Sequence, residues 1–159
     1  MKKLNFTSVF YLFAFLFVTS FGYSQRMINA NEVTSQFLKE TFDNAFIEVT
    51  EVKDTYIKVK DVFNMYLDID KNQRYVAISS TYNLVDGTSP AKALALMNKI
   101  NAEVALIKVY YNQNSNSITY YYYFWTDGGF TQKSLISAFR LYKSALTLTL
   151  EKDTDRLIK

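Results

Sequence analysis

The sequence contains neither cysteine nor histidine, and these two absences remove several classes of functional site. There can be no disulfide, no thiolate nucleophile, no Ser-His-Asp triad and no zinc site built from Cys and His. Proline occurs once and glycine four times among 159 residues, too few for a collagen-like or disordered chain. Because 49% of the residues are hydrophobic, we expect a single folded domain with an apolar core.

The first 24 residues have the three parts of a secretory signal peptide. Lys2 and Lys3 supply positive charge, and an unbroken apolar run follows at 9–18. The small residues Gly22 and Ser24 then precede a predicted cleavage site. A transmembrane anchor would need about 20 apolar residues, so the shorter run favours a cleaved signal. The absence of cysteine excludes a lipoprotein anchor.

Cleavage would leave residues 25–159 as a single mature domain, exported to the periplasm or secreted. This mature chain has 16 basic and 15 acidic residues, because Lys2 and Lys3 are removed with the signal. A charge so close to balance argues against a nucleic-acid partner. Since no disulfide can form, the core has to stabilise the exported domain.

Hydrophobic periodicity predicts an α+β domain in which helices cover one face of an antiparallel sheet, in the order α-β-β-β-α-β-β-α. The strands alternate apolar and polar residues, most clearly in the apolar series Phe63, Met65, Leu67 and Ile69. The predicted ranges are a helix at 30–42, strands at 46–52, 56–62, 63–70 and 74–82, a helix at 90–101, strands at 104–111 and 118–126, and a helix that Thr131 caps. Val62 and Phe63 either belong to one strand or mark a bulge.

Side chains at the helix starts support these ranges. Asn29 and Glu32 form a capping-box pattern ahead of the first helix. Ser89 and Pro90 are an N-cap followed by proline at the first helical position. The charged tail at 151–159 is expected to fray.

Asp68, Asp70 and Asn72 resemble the start of a calcium-binding loop. Such a loop needs glycine at its sixth position and a bidentate glutamate at its twelfth, where this sequence has Gln73 and Ser79. We therefore interpret the segment as a strand end that leads into a hairpin turn, with no metal site. Asp68 and Asp70 also share one face of a strand, so a carboxylate-dependent hydrolase stays an alternative, although exposed surface carboxylates are the better interpretation.

Gly128 and Gly129 come directly before the last predicted helix. Glycines in this position can help bind an anion, but a turn with positive φ is the favoured interpretation. Neither a G-x-G-x-x-G nor a Walker pattern is present, so no cofactor is predicted.

The run at 120–125, Tyr-Tyr-Tyr-Tyr-Phe-Trp, is the most unusual segment. In a strand these rings divide between two faces. If Tyr111 and Ile118 close the hairpin, Val109 faces Tyr120, Ile107 faces Tyr122 and Ala105 faces Phe124. These six residues then lie on the face that the helices cover. The open face then carries the candidate partner-binding residues Leu106, Tyr110, Tyr121, Tyr123 and Trp125. Two explanations account for this run equally well. Tyrosine is common in strands for reasons of strand propensity alone, or the rings form a surface that binds a second copy or a ligand.

The helix end Asn98-x-x-Asn101, the strand pair after it, and the turn with Gly128, Gly129 and Thr131 together resemble the YbjN-like family. The order of elements extends the resemblance over the mature chain. It implies the fold of type III secretion chaperones, small α+β proteins that often form dimers and bind protein segments. Family members are usually described as sensory transduction regulators, and no reaction is established for them. The predicted export signal departs from the relatives that look cytoplasmic.

These observations favour a non-enzymatic envelope protein that binds an unidentified protein partner or a second copy of itself. A carboxylate-dependent hydrolase and a protein that holds a small ligand in an aromatic pocket are the alternatives. A hydrolase would require carboxylates that converge in a concave, partly desolvated cleft, whereas a binding protein would require an aromatic surface.

Overall fold

The computed structural model describes residues 26–159, so the predicted signal peptide lies outside the described residues. Within this range the chain forms three α-helices and six strands, preceded by a single 3-10 turn at Ala30–Glu32. In chain order they are α1 (Ser35–Asn44), β1 (Glu48–Val52), β2 (Tyr56–Lys60), β3 (Asn64–Ile69), β4 (Tyr75–Asn83), α2 (Pro90–Glu103), β5 (Lys108–Asn112), β6 (Ser117–Trp125) and α3 (Gln132–Glu151).

The six strands form one antiparallel sheet in the order β1-β2-β3-β4-β6-β5. One face of the sheet packs against the helices, as the alternation predicted. Its core includes Val59, Met65, Leu67, Ile78 and Tyr120 from the strands and Leu38, Phe42, Ile100, Phe139 and Tyr142 from the helices. The predicted α+β class is confirmed.

The first run of strands contains four members, one more than the predicted order has. Lys60 pairs with Asn64, so residues 61–63 form a hairpin turn between β2 and β3. The three-residue turn preserves the alternation, since Val59 and Met65 both point to the covered face on either side of it. The alternation of covered and uncovered residues therefore continues through the turn, and the sequence pattern cannot reveal that the chain reverses direction there.

The first helix begins later than predicted. The backbone N–H of Asn29 donates to the carboxylate of Glu32 at 2.9 Å, so the predicted contact exists, but it stabilises only the 3-10 turn. Val33 is extended, and the hydroxyl of Thr34 then accepts a hydrogen bond from the N–H of Phe37 at 3.1 Å. This second cap starts α1.

Two strands, β1 and β5, begin two or more residues later than predicted, and at both points a bulky residue has positive φ. Phe46 has φ 59° and is 98% exposed, which ends the turn after α1 before β1 begins. Leu106 has φ 73° in the bend between α2 and β5. As a result Ala105 is exposed, although the pairing scheme predicted it on the covered face, while Ile107 is buried just outside the strand.

The C-terminal tail is docked, and the expectation that it frays is wrong. Leu157 is buried, and its carbonyl accepts a hydrogen bond from the N–H of Val85 at 2.8 Å. Ile158 forms a β-bridge with Leu84. The carboxylate of Asp153 accepts hydrogen bonds from the N–H groups of Leu157 and Ile158 at 2.9 and 2.8 Å. Two apolar residues and one carboxylate inside a charged segment thus hold the tail against the domain.

The turn before α3 agrees with prediction. Gly128 and Gly129 have φ 86° and 84°, a conformation that glycine adopts without strain. The hydroxyl of Thr131 accepts from the N–H of Ser134 at 3.1 Å and caps α3. None of the helices in residues 26–159 has the length and apolar sequence needed to cross a membrane.

Candidate functional site

The face of the sheet opposite the helices is unusually aromatic, and we call it the aromatic face. Alternation along five of the strands places tyrosine or tryptophan side chains there. Its rings belong to Tyr56, Tyr66, Tyr75, Tyr110, Tyr121, Tyr123 and Trp125. The uncovered face therefore carries many aromatic rings, where a one-sided sheet usually presents a polar surface.

Five of the seven rings contact one another in a chain, and Tyr56 and Tyr66 form a separate pair with centroids 5.8 Å apart. Tyr121 and Tyr123 are parallel, with centroids 6.0 Å apart. Tyr75 meets Tyr123 and Trp125 edge to face at 5.3 and 5.6 Å, and Tyr110 meets Tyr121 in the same way at 5.5 Å. Edge-to-face pairs of this kind stabilise the arrangement of the rings as well as their burial. The cluster is therefore a defined surface of fixed shape.

Four of the five candidate partner-binding residues come together in this chain of rings: Tyr110, Tyr121, Tyr123 and Trp125. Trp125 is 64% exposed and Tyr110 is 42% exposed. The fifth, Leu106, is exposed in the bend before β5 and lies outside the sheet. It therefore does not share the strand register of the other four.

Small side chains on β4 form the floor between the rings. Ala77 pairs with Tyr123, and Ser79 pairs with Tyr121. Because the small side chains rise less than the rings beside them, a cavity of about 410 Å³ opens on the aromatic face. It is lined by Asp68, Ile69, Asp70, Tyr75, Ala77, Tyr110, Tyr121 and Tyr123.

The two carboxylates of this cavity have different surroundings. Asp70 accepts hydrogen bonds from the N–H groups of Asn72 and Arg74 and from the Arg74 guanidinium at 3.0 Å, and the guanidinium is the main cause of its lowered pKa. Asp68 has neither a hydrogen bond nor an ion pair with any residue of the described range. Its side chain reaches solvent, yet desolvation by the protein around its carboxyl raises its pKa.

Two lysines of the protein itself lie over rings of the aromatic face. The ammonium of Lys58 is 5.4 Å from the centroid of Tyr66, and that of Lys108 is 5.3 Å from the centroid of Tyr110. These are cation–π distances. Neither lysine is part of the cavity lining, although Lys108 lies over Tyr110, one of the rings that line the cavity.

The covered side of the hairpin agrees with the predicted register where β5 is a strand. Val109 pairs with Tyr120 and Tyr111 pairs with Ile118. The pairings of Ile107 with Tyr122 and of Ala105 with Phe124 do not form, because β5 begins only at Lys108. Phe124 still packs under the helices, with its ring 5.2 Å from that of Phe130 in an edge-to-face contact.

Sequence reasoning missed three aromatic residues of this face, Tyr56, Tyr66 and Tyr75. They lie on three strands other than the aromatic run, so only the strand order brings them beside it. The sequence does contain a signal for two of them. In both β2 and β3 a tyrosine occupies a position of the polar series, which alternation assigns to the uncovered face. Among residues 26–159, no cluster of three or more acidic side chains is arranged to hold a metal ion.

Comparison with known proteins gives a family and a fold. The sequence profile of the YbjN family, described as "Putative bacterial sensory transduction regulator", matches residues 63–149. The crystal structure of YbjN, "a putative transcription regulator from E. coli", is similar with a TM-score of 0.67 and 14% sequence identity, covering 78% of this chain and 94% of that one. At that identity the likeness shows the fold alone. No protein with a curated function matches the chain.

Proposed function

Because the chain belongs to the YbjN family, we propose that it is a non-enzymatic regulatory protein that acts by binding another protein. The family description supports a regulatory role and names no reaction. The observation that carries the proposal is the aromatic face, where the exposed rings of Tyr110 and Trp125 and the half-buried rings of Tyr121 and Tyr123 form one cluster. Exposed clusters of Tyr and Trp are typical of surfaces that contact a protein.

The proposed site of action is outside the cytoplasm, in the periplasm or the medium. The predicted signal peptide at residues 1–24 supports this proposal, and cleavage before Gln25 would release the domain. An exported location is compatible with the sequence of the domain, which has no cysteine to be oxidised. The regulated process would then lie in the cell envelope.

The partner is either a different protein or a second copy of this chain. A two-fold dimer could bury the aromatic face against itself, because one self-complementary patch suffices for such symmetry. A chaperone-like action, in which the face holds a segment of the partner, is the more specific form of the same proposal. It is motivated by the resemblance of the sequence to small α+β proteins that bind protein segments.

Affinity capture of partners by the mature chain from the cell envelope tests the proposal. We expect capture by the wild type and its loss in the double variant Tyr121→Ala, Tyr123→Ala. Phe46→Ala is the matched control, because Phe46 is a fully exposed ring away from the aromatic face. Equal capture by the double variant and the control would show that the aromatic face does not bind the partner.

A carboxylate-dependent hydrolase is the second candidate, and one observation favours it. Asp68 and Asp70 line the same cavity, with pKa values shifted in opposite directions. Such a pair can divide the roles of acid and base. Asp70, however, is held by Arg74 and two backbone N–H groups, which leaves it poorly placed to exchange a proton. Hydrolysis of chromogenic glycosides or esters that Asp68→Asn abolishes would establish this candidate.

A further inference from the structure

We propose that the cavity beside Asp68 binds a positively charged side chain, arginine or lysine, supplied by the partner protein. The inference rests on the proposed function, because it names the charge of the group that the aromatic face receives.

The charge of the cavity lining is the first argument. Four of its residues are tyrosines, two are carboxylates, and none is basic. Asp70 is neutralised by Arg74, which lies outside the lining. Asp68 is left as a carboxylate with no partner among residues 26–159. A carboxylate that is partly desolvated and unpaired is unfavourable, and a cation at this place would compensate it.

The rings supply the second argument. Tyrosine faces attract cations, and guanidinium groups stack on aromatic rings as well as pairing with carboxylates. The protein's own Lys58 and Lys108 already lie over Tyr66 and Tyr110 at the margins of the same face. Lys108 thus already lies over one ring of the cavity, but no basic side chain of residues 26–159 belongs to the lining or pairs with Asp68.

The size of the cavity is the third argument. A volume of about 410 Å³ falls within the usual range of ligand pockets and exceeds what a guanidinium needs. The cavity is open to solvent on the sheet surface, so a side chain can enter while its backbone stays outside. Small side chains on β4, Ala77 above all, leave the depth that the group would fill.

The test is an NMR titration of the mature chain with Nα-acetyl-arginine methylamide, and with the citrulline analogue as a neutral probe of nearly the same shape. We expect saturable shifts at the amides of Asp68, Ala77 and Tyr123 with the arginine probe only. In Asp68→Asn the apparent affinity should fall about tenfold, as expected for the loss of one charge-assisted contact. Asp155→Asn, an exposed carboxylate far along the chain, should leave the titration unchanged.

Equal binding of the citrulline probe, or an unchanged affinity in Asp68→Asn, would overturn the inference. Tighter binding of choline than of the arginine probe would also overturn it, because the occupant would then be a small cation. Partner capture separates this inference from the proposed function. If capture requires Tyr121 and Tyr123 but is the same in Asp68→Asn, the face binds a protein and the basic side chain is wrong. If the arginine probe binds through Asp68 but no capture depends on the rings, the proposed function fails.

Discussion

The side-chain amide of Asn101 forms two hydrogen bonds with the backbone of Val109, one to its N–H and one to its carbonyl, as a neighbouring strand would. Its Oδ1 accepts from the N–H of Val109 at 2.9 Å, and its Nδ2 donates to the carbonyl at 3.3 Å. Val109 lies in β5, the edge strand of the sheet. The amide thereby occupies backbone groups that an edge strand would otherwise offer to another chain. This part of the edge is thus closed to strand pairing with another chain.

Asn101→Ala should lower the free energy of unfolding by about 1–2 kcal/mol, because a partly buried N–H and C=O lose their partner. Asn98→Ala is the matched control on the same helix. Its side chain is exposed and makes no hydrogen bond to any residue of the described range, so a change within about 0.5 kcal/mol is expected. Urea denaturation measures both, and equal losses would contradict the role assigned to Asn101.

The two fully buried tyrosines should respond differently to removal of the hydroxyl. The Tyr142 hydroxyl donates to the carbonyl of Tyr120 at 3.2 Å, so Tyr142→Phe should cost about 1 kcal/mol. The Tyr120 hydroxyl is buried without a partner in the described structure, and the nearby Thr149 hydroxyl donates instead to Leu146. Tyr120→Phe should therefore be neutral or stabilising. Thermal melts check the pair, and a larger loss from Tyr120→Phe would contradict the assignment.

The docked tail should depend on one carboxylate. Asp153→Ala removes the acceptor for two backbone N–H groups and should destabilise the protein by about 1–2 kcal/mol. Hydrogen exchange at Leu157 and Ile158 should become faster than in the wild type. Asp155→Ala, which removes an exposed carboxylate in the same segment, should change neither quantity. Similar exchange in both variants would show that the two apolar residues hold the tail alone.

Most of the helices and strands could be predicted, because each has apolar residues at the spacing typical of its type of secondary structure. The covered face of β3 and the stripe of α3 follow periods that the sequence shows directly. The hairpin between β2 and β3 could not be predicted, since its turn keeps the alternation in phase. The docked tail was missed for a related reason. Two apolar residues among charged ones carry no period, and only the tertiary contact with Leu84 and Val85 reveals their role.

The candidate site could be predicted in part. A single hairpin identified Tyr110, Tyr121, Tyr123 and Trp125, because local alternation assigns their face. Placing Tyr56, Tyr66 and Tyr75 beside them required the strand order, which no local sequence pattern encodes. The sequence drew attention to Asp68 as a possible calcium ligand or hydrolase carboxylate. Asp68 has no basic partner because Arg74 pairs with Asp70 and the ammonium of Lys58 lies over Tyr66. Pairing of charges is a tertiary property, so sequence alone could not show that Asp68 stays free.

Asp68→Asn should raise the stability of the protein at neutral pH. The pKa of Asp68 is raised in the fold by desolvation, so the folded state binds its proton more tightly than the unfolded state does. This contribution to stability is complete below the pH at which an unfolded aspartate titrates, and it is lost as pH rises through the folded pKa. The gain from Asp68→Asn should therefore be present at pH 7 and shrink toward pH 3.

Melting temperatures of the wild type and Asp68→Asn, measured between pH 3 and pH 8, check this sign. Tyr56 stays neutral throughout that range, because desolvation, with smaller contributions from Glu51 and Asp68, raises the pKa of its phenol. A lower melting temperature for Asp68→Asn at pH 7 would mean that the carboxylate is paired in the folded protein.

The two faces of β6 should separate stability from association. Phe124 packs against Phe130 under the helices, so Phe124→Ala should cost about 3 kcal/mol of unfolding free energy. Tyr121 lies on the aromatic face, where its contacts are with Tyr110 and Tyr123, and Tyr121→Ala should cost about 1 kcal/mol or less. Chemical denaturation gives both values. If the wild type sediments as a dimer, Tyr121→Ala should shift it toward monomer, because the ring is lost from the surface and not from the core. Equal destabilisation by the two variants would mean that the aromatic face is structural, and the case for a binding surface would fail with it.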